Sequence, residues 1–475
     1  MPGSSPRCGV SRTLERVVLI ALVLLATSNR SLGKVAGLTV RPDWVGGVLA
    51  VGVVMLALLA RRRLPASPAL FGFAGFVVVQ VLSSVANRAA WPEGLKFSLV
   101  YVLALATICA VLILVRDMET VRWTLSVVVT LAVAEAAISV MTVLSSNLVG
   151  FPVPPSTRPR SIVRAEGLMS EANLFSSLLL VPFAVALWRW SAAPRVAKRE
   201  SAAGLALSAG LVFALTRATW LAAIGIAWLS PLRRQPVGRR LRWLAGGVAV
   251  AAGLLLGSDL LTRHGALERT GLYDRLVTGV VTGYDEPLDG RREEVRSSLA
   301  HWRASPWLGH GAGSGKALEQ HYRYTRHLRP EPWLSNAVLF VLHDSGLVGL
   351  ALFISTLGAA GYQWRRARGR LGDQAAELDH EALGIGLAAV LLAWQVTHGL
   401  WQMYGYLYLG LMLAMNRLVN MGGVATGPPS PIDLHGGPEM APKPPTLGAP
   451  RPSRGAPRNT PVVFAGRQPH ERAGQ

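Results

Sequence analysis

"SLVYVLALATICAVLILV", Ser98 to Val115, contains no charged side chain. A run of about 18 apolar residues is long enough to cross the hydrocarbon core of a bilayer as a helix. "VVLIALVLLA" (Val17–Ala26) and "VGGVLAVGVVMLALLA" (Val45–Ala60) are apolar blocks of the same kind. The apolar residues come in blocks, without the alternation of half-buried elements, and repeated uncharged blocks do not suit a soluble helical core. Composition agrees: hydrophobic residues make up 51% of the chain and mean hydropathy is +0.35. The fold class this predicts is all-α, a polytopic integral membrane protein.

By the length rule, spans fall at residues 17–33, 44–60, 68–86, 95–115, 123–144, 171–190, 201–215, 217–231, 241–260, 336–362, 384–400 and 402–420, about twelve in all. The seventh and eighth share one apolar block interrupted by "LTRATW" (Leu215–Trp220), which predicts a tight helical hairpin. The first block follows Arg7, Arg12 and Arg16 as a signal peptide would. It lacks a small-residue cleavage site and more spans follow, so it reads as a retained helix.

The formal net charge of +21 is distributed in clusters at the ends of apolar blocks. That pattern orients a membrane protein and does not call for nucleic acid. Arg61–Arg63, Arg116 with Arg122, Arg195 with Lys198 and Arg199, Arg233 to Arg240, and Arg365 to Arg370 fall on alternate connections. Those connections, and both termini, are expected on the cytoplasmic side. Arg30, Lys34 and Arg41 crowd an external connection against the trend. Cys8 and Cys109 are the two cysteines, too few for a disulfide framework or a metal cluster.

Four regions follow. Residues 1–260 hold membrane helices one to nine, and 261–335 a large external loop. Residues 336–420 hold three further spans, and 421–475 a Pro/Gly-rich tail expected to be disordered and cytoplasmic. A connection as long as 261–335 is far beyond the ordinary range and marks function. Within it, "DGRREEVRSSLAHWRASPWLG" (Asp289–Gly309) predicts an amphipathic helix ending at Pro306, with Val295, Leu299 and Trp302 on one face. Next comes "SPWLGHGAGSGKALEQ" (Ser305–Gln320), which looks like a phosphate-binding loop. The Walker pattern requires glycine where His310 stands and a hydroxyl where Ala317 stands, after a buried strand that is missing. No nucleotide is expected here. The glycines suit a sharp turn or a close backbone approach.

Arg217 interrupts the apolar stretch Ser201–Leu229. An ionised group there either snorkels to the interface or serves a site. Arg164, at the mouth of another span, and Arg291, in the loop, fall on the same external face of this topology. Three planar guanidinium forks at one face suit phosphate or pyrophosphate oxygens. The loop carboxylates have no metal-ligand spacing. Trp302, Trp307, Tyr322, Tyr324 and Trp333 either stack sugars or anchor the interface.

Four stretches, in order, resemble the O-antigen ligase and polymerase family of bacterial membrane enzymes. They are "RAEGLMSEANLFSSLLL" (Arg164–Leu180), "LTRATWLAAIG" (Leu215–Gly225), "GRREEVRSSLAHWRASPWLGHGAG" (Gly290–Gly313) and "SNAVLFVLHDSGLVGL" (Ser335–Leu350). Ala172 stands where the family has proline before Asn173, and Thr216 where it has serine before Arg217. The resemblance implies a multi-pass protein of the bacterial inner membrane. It implies transfer or polymerisation of a polyprenyl-pyrophosphate-linked glycan onto a glycan or lipid-glycan acceptor among membrane lipids, with no metal and no cofactor. Arg217 and Arg291 become the catalytic arginines. Arg164, Asn173, Gly309, Gly311 and Asn336 become substrate-binding residues. Where the family's ligases carry the histidine that activates the acceptor, this chain has Ser335. A serine hydroxyl cannot take a proton near neutral pH. His327, His343 and His398 are the substitutes the sequence offers, His327 first and His398 second. A transporter or flippase using the same arginines is the alternative. Against it, the two halves show no internal repeat.

Overall fold

The computed structural model describes residues 8–35, 38–87, 91–149, 164–192, 198–231, 286–315, 318, 334–397 and 399–421. All lie within one compact unit, Met1–Ala425. The expected span 241–260 and the tail lie outside the described residues.

The described elements are almost all helices. They are α1 (Cys8–Ala26), α2 (Pro42–Leu59), α3 (Pro68–Ala86), α4 (Trp91–Leu114), α5 (Met118–Val149), α6 (Ala172–Leu178), α7 (Leu180–Ala192), α8 (Lys198–Phe213), α9 (Arg217–Leu229), α10 (Glu286–Trp302), α11 (Ala337–Ala367), α12 (Gln374–Ala393) and α13 (Met403–Asn420). The departure from an all-helical reading is a small antiparallel ribbon, β1 (Gly33–Val35) with β2 (Leu38–Val40), in the connection before α2. Among the described residues, six helical segments are long and apolar enough to cross a membrane: Pro42–Leu59, Pro68–Ala86, Gly94–Leu114, Met118–Ser145, Ala172–Ser191 and Ala337–Ala367.

Apolar side chains cover the outward faces of these helices. Leu56 is 68% exposed, Phe71 66% and Ile138 66%. Water would disfavour such surfaces, and a lipid environment accepts them. Inside, α11 packs on α3, α12 on α7, and both α2 and α13 on α4. Small residues let the backbones close: Gly47 abuts Leu103 and Gly386 abuts Val181, the mode of contact membrane helices favour.

The span expected at 171–190 is two helices broken at Leu179. Tyr404 and Tyr408 of α13 donate from their hydroxyls to Leu174 O and Leu178 O at 3.3 and 3.2 Å. Pro182 has no N–H for Leu178 O, and the Tyr408 hydroxyl supplies the missing donor, as a membrane interior requires.

Polar contacts collect at the two ends of the bundle. One end is rich in ion pairs: Arg16–Glu119 at 2.6 Å, Arg116–Glu15 at 2.6 Å, Arg189–Asp379 at 2.7 Å and Arg368–Glu381 at 2.5 Å. The opposite end ties together the end of α1, the start of α13 and the segment before α6. There Asn29 Nδ2 donates to Gln402 Oε1 at 2.9 Å and accepts from Ser170 N at 2.5 Å.

The sidedness of these ends is open to a labelling test. Ser314 lies in the glycine loop but is 4% exposed, so Ala304 and Gln374, both exposed, are the better sites. A cysteine at Ala304 should react with an impermeant reagent in cells with a permeabilised outer layer, and one at Gln374 should not. The reverse pattern would overturn the topology.

Candidate functional site

Three residues from three segments meet at the end that holds Asn29 and Gln402. Arg164 Nη2 donates to Asn173 Oδ1 at 2.9 Å and to Thr216 Oγ1 at 3.0 Å, while its Nε donates to Ala214 O at 2.9 Å. Thr216 Oγ1 lies 3.0 Å from Asn173 Oδ1. This set fixes the turn between α8 and α9, where the buried Leu215 takes a φ of +54°. A branched residue in the left-handed region is held there only by its surroundings. Thr216 precedes α9 without capping an α9 amide through its side chain, because its hydroxyl is engaged with Arg164 and Asn173. A helix start favours an anion, and the exposed Arg217 is the first residue of that helix.

Arg291 lies on α10, which packs on α11. The expected apolar face of α10 is buried only in part: Leu299 packs against the core. Val295 is 40% exposed, whereas Ser297 and Ser298 are 3% and 0% exposed. The face turned inward carries Glu294, Ser298 and His301, with Arg291 at its head half-buried. Arg292, next door, is exposed.

Glu294 is bound twice by the residue that opens the next helix. Ser335 Oγ donates to Glu294 Oε2 at 2.9 Å, and Ser335 N donates to Glu294 Oε1. Burial raises the Glu294 carboxyl above the usual glutamate range. The two Ser335 donors and the Arg291 guanidinium pull it back only in part. Asn336 then caps α11, accepting from Leu339 N at 2.8 Å and donating from Nδ2 to Gln395 O at 3.0 Å. Asn336 thus joins the start of α11 to the end of α12.

The glycine loop has a structural partner. α11 is broken at Gly346, with φ +64° and ψ −164°. The backbone groups near the break are taken up by residues 306–311. Leu347 N donates to Pro306 O at 2.9 Å and Val348 N to Trp307 O at 3.2 Å. In return, His310 N donates to His343 O at 3.0 Å and Gly311 N to Asp344 O at 2.9 Å. A broken helix at membrane depth is tolerated where protein re-satisfies its backbone in this way. Gly309 sits at φ +70°, and a Cβ there would fall 2.5 Å from the backbone of Asp344. The close approach that the sequence suggested is met here by the chain's own backbone. Gly309→Ala should therefore destabilise the fold by more than the ~1–2 kcal/mol of a left-handed residue alone, seen as reduced membrane-integrated protein. Lys316→Ala should leave activity within a few-fold of wild type, and ATP binding abolished by that change would contradict this account of the loop.

Below the loop runs a buried polar chain. Asp344 Oδ1 is 3.1 Å from His343 Nδ1, and His343 Nε2 is 3.0 Å from His301 Nδ1. Gly313 N and Ser314 Oγ donate to Asp344 at 2.8 and 3.2 Å. His310 stacks on His301 with centroids 3.8 Å apart. With Asp344 as acceptor, His343 carries its proton on Nδ1 and accepts from His301 through Nε2. This chain clasps α10 to α11. His301 and His310 were not singled out by the sequence reading. Their signal was the spacing of Arg291, Glu294, Ser298 and His301, which recurs at helical intervals on one face. His327 and His398, the two histidines placed first from sequence as bases, lie outside the described residues.

Residues 202–354 match the family model Wzy_C, O-antigen ligase. The segment that carries α8, α9, α10 and the broken part of α11 belongs to the O-antigen ligase/polymerase family. The apolar helices and this match support a bacterial membrane protein, a glycan-transferring enzyme in the general sense, with lipid-linked glycan as its class of substrate. No curated protein matches the chain in sequence.

Proposed function

We propose that the chain transfers or polymerises a glycan from a polyprenyl-pyrophosphate donor at the external face of the inner membrane, as a multi-pass protein of about twelve spans. The observation that carries this is the inward polar face of α10, where Arg291 and Glu294 are held against the start of α11 within the family-matched segment. In this scheme Arg217, Arg291 and Arg164 hold the pyrophosphate. Asn173 fixes Arg164, and Asn336 fixes the start of α11. The acceptor sugar's hydroxyl oxygen bonds to the anomeric carbon of the donor. The bond from that carbon to the pyrophosphate oxygen breaks, and the electron pair leaves with the pyrophosphate. The guanidinium forks neutralise the charge that develops.

The acceptor's proton needs a base, and Ser335 cannot serve unaided. Glu294 fills that place in this reading. It is a carboxylate within one turn of Arg291, oriented by both donors of Ser335 and raised towards working pH by burial. A base is most effective when its pKa lies near the operating pH. Ser335 is then a positioning residue. No metal ion or cofactor enters the scheme.

The glycan profile of a deletion strain tests the reading. Single repeats retained at the surface without polymer identify a polymerase. Lipid-linked polymer accumulating without surface attachment identifies a ligase. Precursor trapped on the cytoplasmic side would overturn the transferase and identify a flippase.

A further inference from the structure

At the end of the bundle opposite Glu294 and Arg217, a cleft of about 520 Å³ opens between α3, α11 and α13. Its apolar wall includes Pro65, Leu112 and Leu413, and its rim carries Arg366, Arg370 and Arg417. Among the described residues, no carboxylate lines it. The acidic residues nearby are committed to other arginines: Asp373 to Arg122, Asp379 to Arg189 and Glu381 to Arg368. Three guanidinium groups thus face one cleft without a counter-charge from its walls. Arg370 reaches only a neutral acceptor, Asn420 Oδ1 at 3.3 Å, and Arg417 Nη2 reaches Val115 O at 2.9 Å.

A second observation is independent of charge. Asn416 lines the same cleft and is 1% exposed. Its Oδ1 lies 2.8 Å from His380 Nε2, but its Nδ2 has no hydrogen-bond partner, and neither does Arg417 Nε. Buried donors left unmatched are costly, and a small turn of either side chain towards the cleft gives it an acceptor there.

We propose that this cleft binds the phosphate group of an anionic phospholipid. The arginines supply donors to the phosphate oxygens, the Asn416 amide adds one on turning towards the cleft, and the apolar wall takes the start of the acyl chains. Arginine-rich pockets between membrane helices suit such headgroups. A soluble phosphate would use the same donors but has no claim on the apolar wall. The proposal does not depend on the transferase reading.

The test uses the full chain purified in a neutral detergent, with lipid binding followed by native mass spectrometry. Phosphatidylglycerol should bind the wild type well above phosphatidylcholine. The Arg366→Gln, Arg370→Gln double variant should bind it about thirtyfold more weakly, since each arginine near an anionic surface contributes roughly fivefold. Arg365→Gln, exposed and outside the cleft, should bind as wild type does. Arg366 and Arg370 are exposed, so the double variant should keep its unfolding temperature in lipid-free detergent. The single Arg366→Gln, expected about fivefold weaker, repeats the test with less perturbation. Equal binding by the double variant, or equal binding of phosphatidylcholine, overturns the proposal. Inorganic phosphate displacing phosphatidylglycerol at equal concentration overturns the lipid assignment.

Discussion

Glu294→Gln should slow glycan transfer by about a hundredfold to ten-thousandfold, the range a general base contributes, while the protein still reaches the membrane. Glutamine keeps the size of the side chain and one acceptor oxygen for Ser335 but cannot take a proton. The fold is therefore a poor explanation for the loss. The pH profile adds a check. Burial favours the protonated carboxyl, so the folded pKa lies above the ordinary glutamate value of about 4.3. The base is the deprotonated form. The rate should rise with pH through that raised value, and this acid limb should vanish in the glutamine variant. Ser335→Ala should reduce the rate less and shift the limb upward, because its hydroxyl favours the charged form. A glutamine variant with wild-type rate would remove Glu294 from the chemistry and leave the arginine site standing.

The arginines carry the second large effect. Arg217→Ala and Arg291→Ala should each cost on the order of 3 kcal/mol in the transition state, about a hundredfold in rate. Arg217→Lys keeps the charge and loses the planar fork, so it should stay clearly impaired. Arg292→Ala should be nearly silent, since Arg292 is exposed beside the half-buried Arg291. Arg164→Ala acts differently. It removes the donors to Asn173, Thr216 and Ala214 together, so it should loosen the turn before Arg217 as well as the anion site. Glycan chain length in a complemented deletion strain reads all of these, with protein level checked by blot.

What the sequence disclosed follows from where each signal is written. Lipid-facing helices are written in composition, so the blocks at 44–60, 68–86 and 95–115 coincide with α2, α3 and α4 to within a few residues. The break near Leu179 was legible in Pro182, which has no N–H for Leu178 O; the Tyr408 hydroxyl that takes its place was not, because it lies more than two hundred residues away in the chain. The helix α10 was legible, but its inward face was not. Amphipathic reasoning assigns Val295 and Leu299 to the core; Leu299 does pack there, but Val295 is 40% exposed while Ser297 and Ser298 are buried. That mixed face is what a polar site looks like to a rule built for apolar cores. The glycines at 309 and 311 announced a close approach, but the partner, a helix broken at Gly346, emerges only from the fold. The grouping of Arg164, Asn173 and Thr216 was foreshadowed by the family resemblance and not by spacing.

The most direct measurement uses purified chain in nanodiscs supplied with a polyprenyl-pyrophosphate-linked glycan and an acceptor. The account predicts a longer or transferred glycan and stoichiometric release of polyprenyl pyrophosphate, both lost in Arg217→Ala and Glu294→Gln. Donor that stays intact in the presence of wild-type protein, while crossing the bilayer of a proteoliposome, would contradict it.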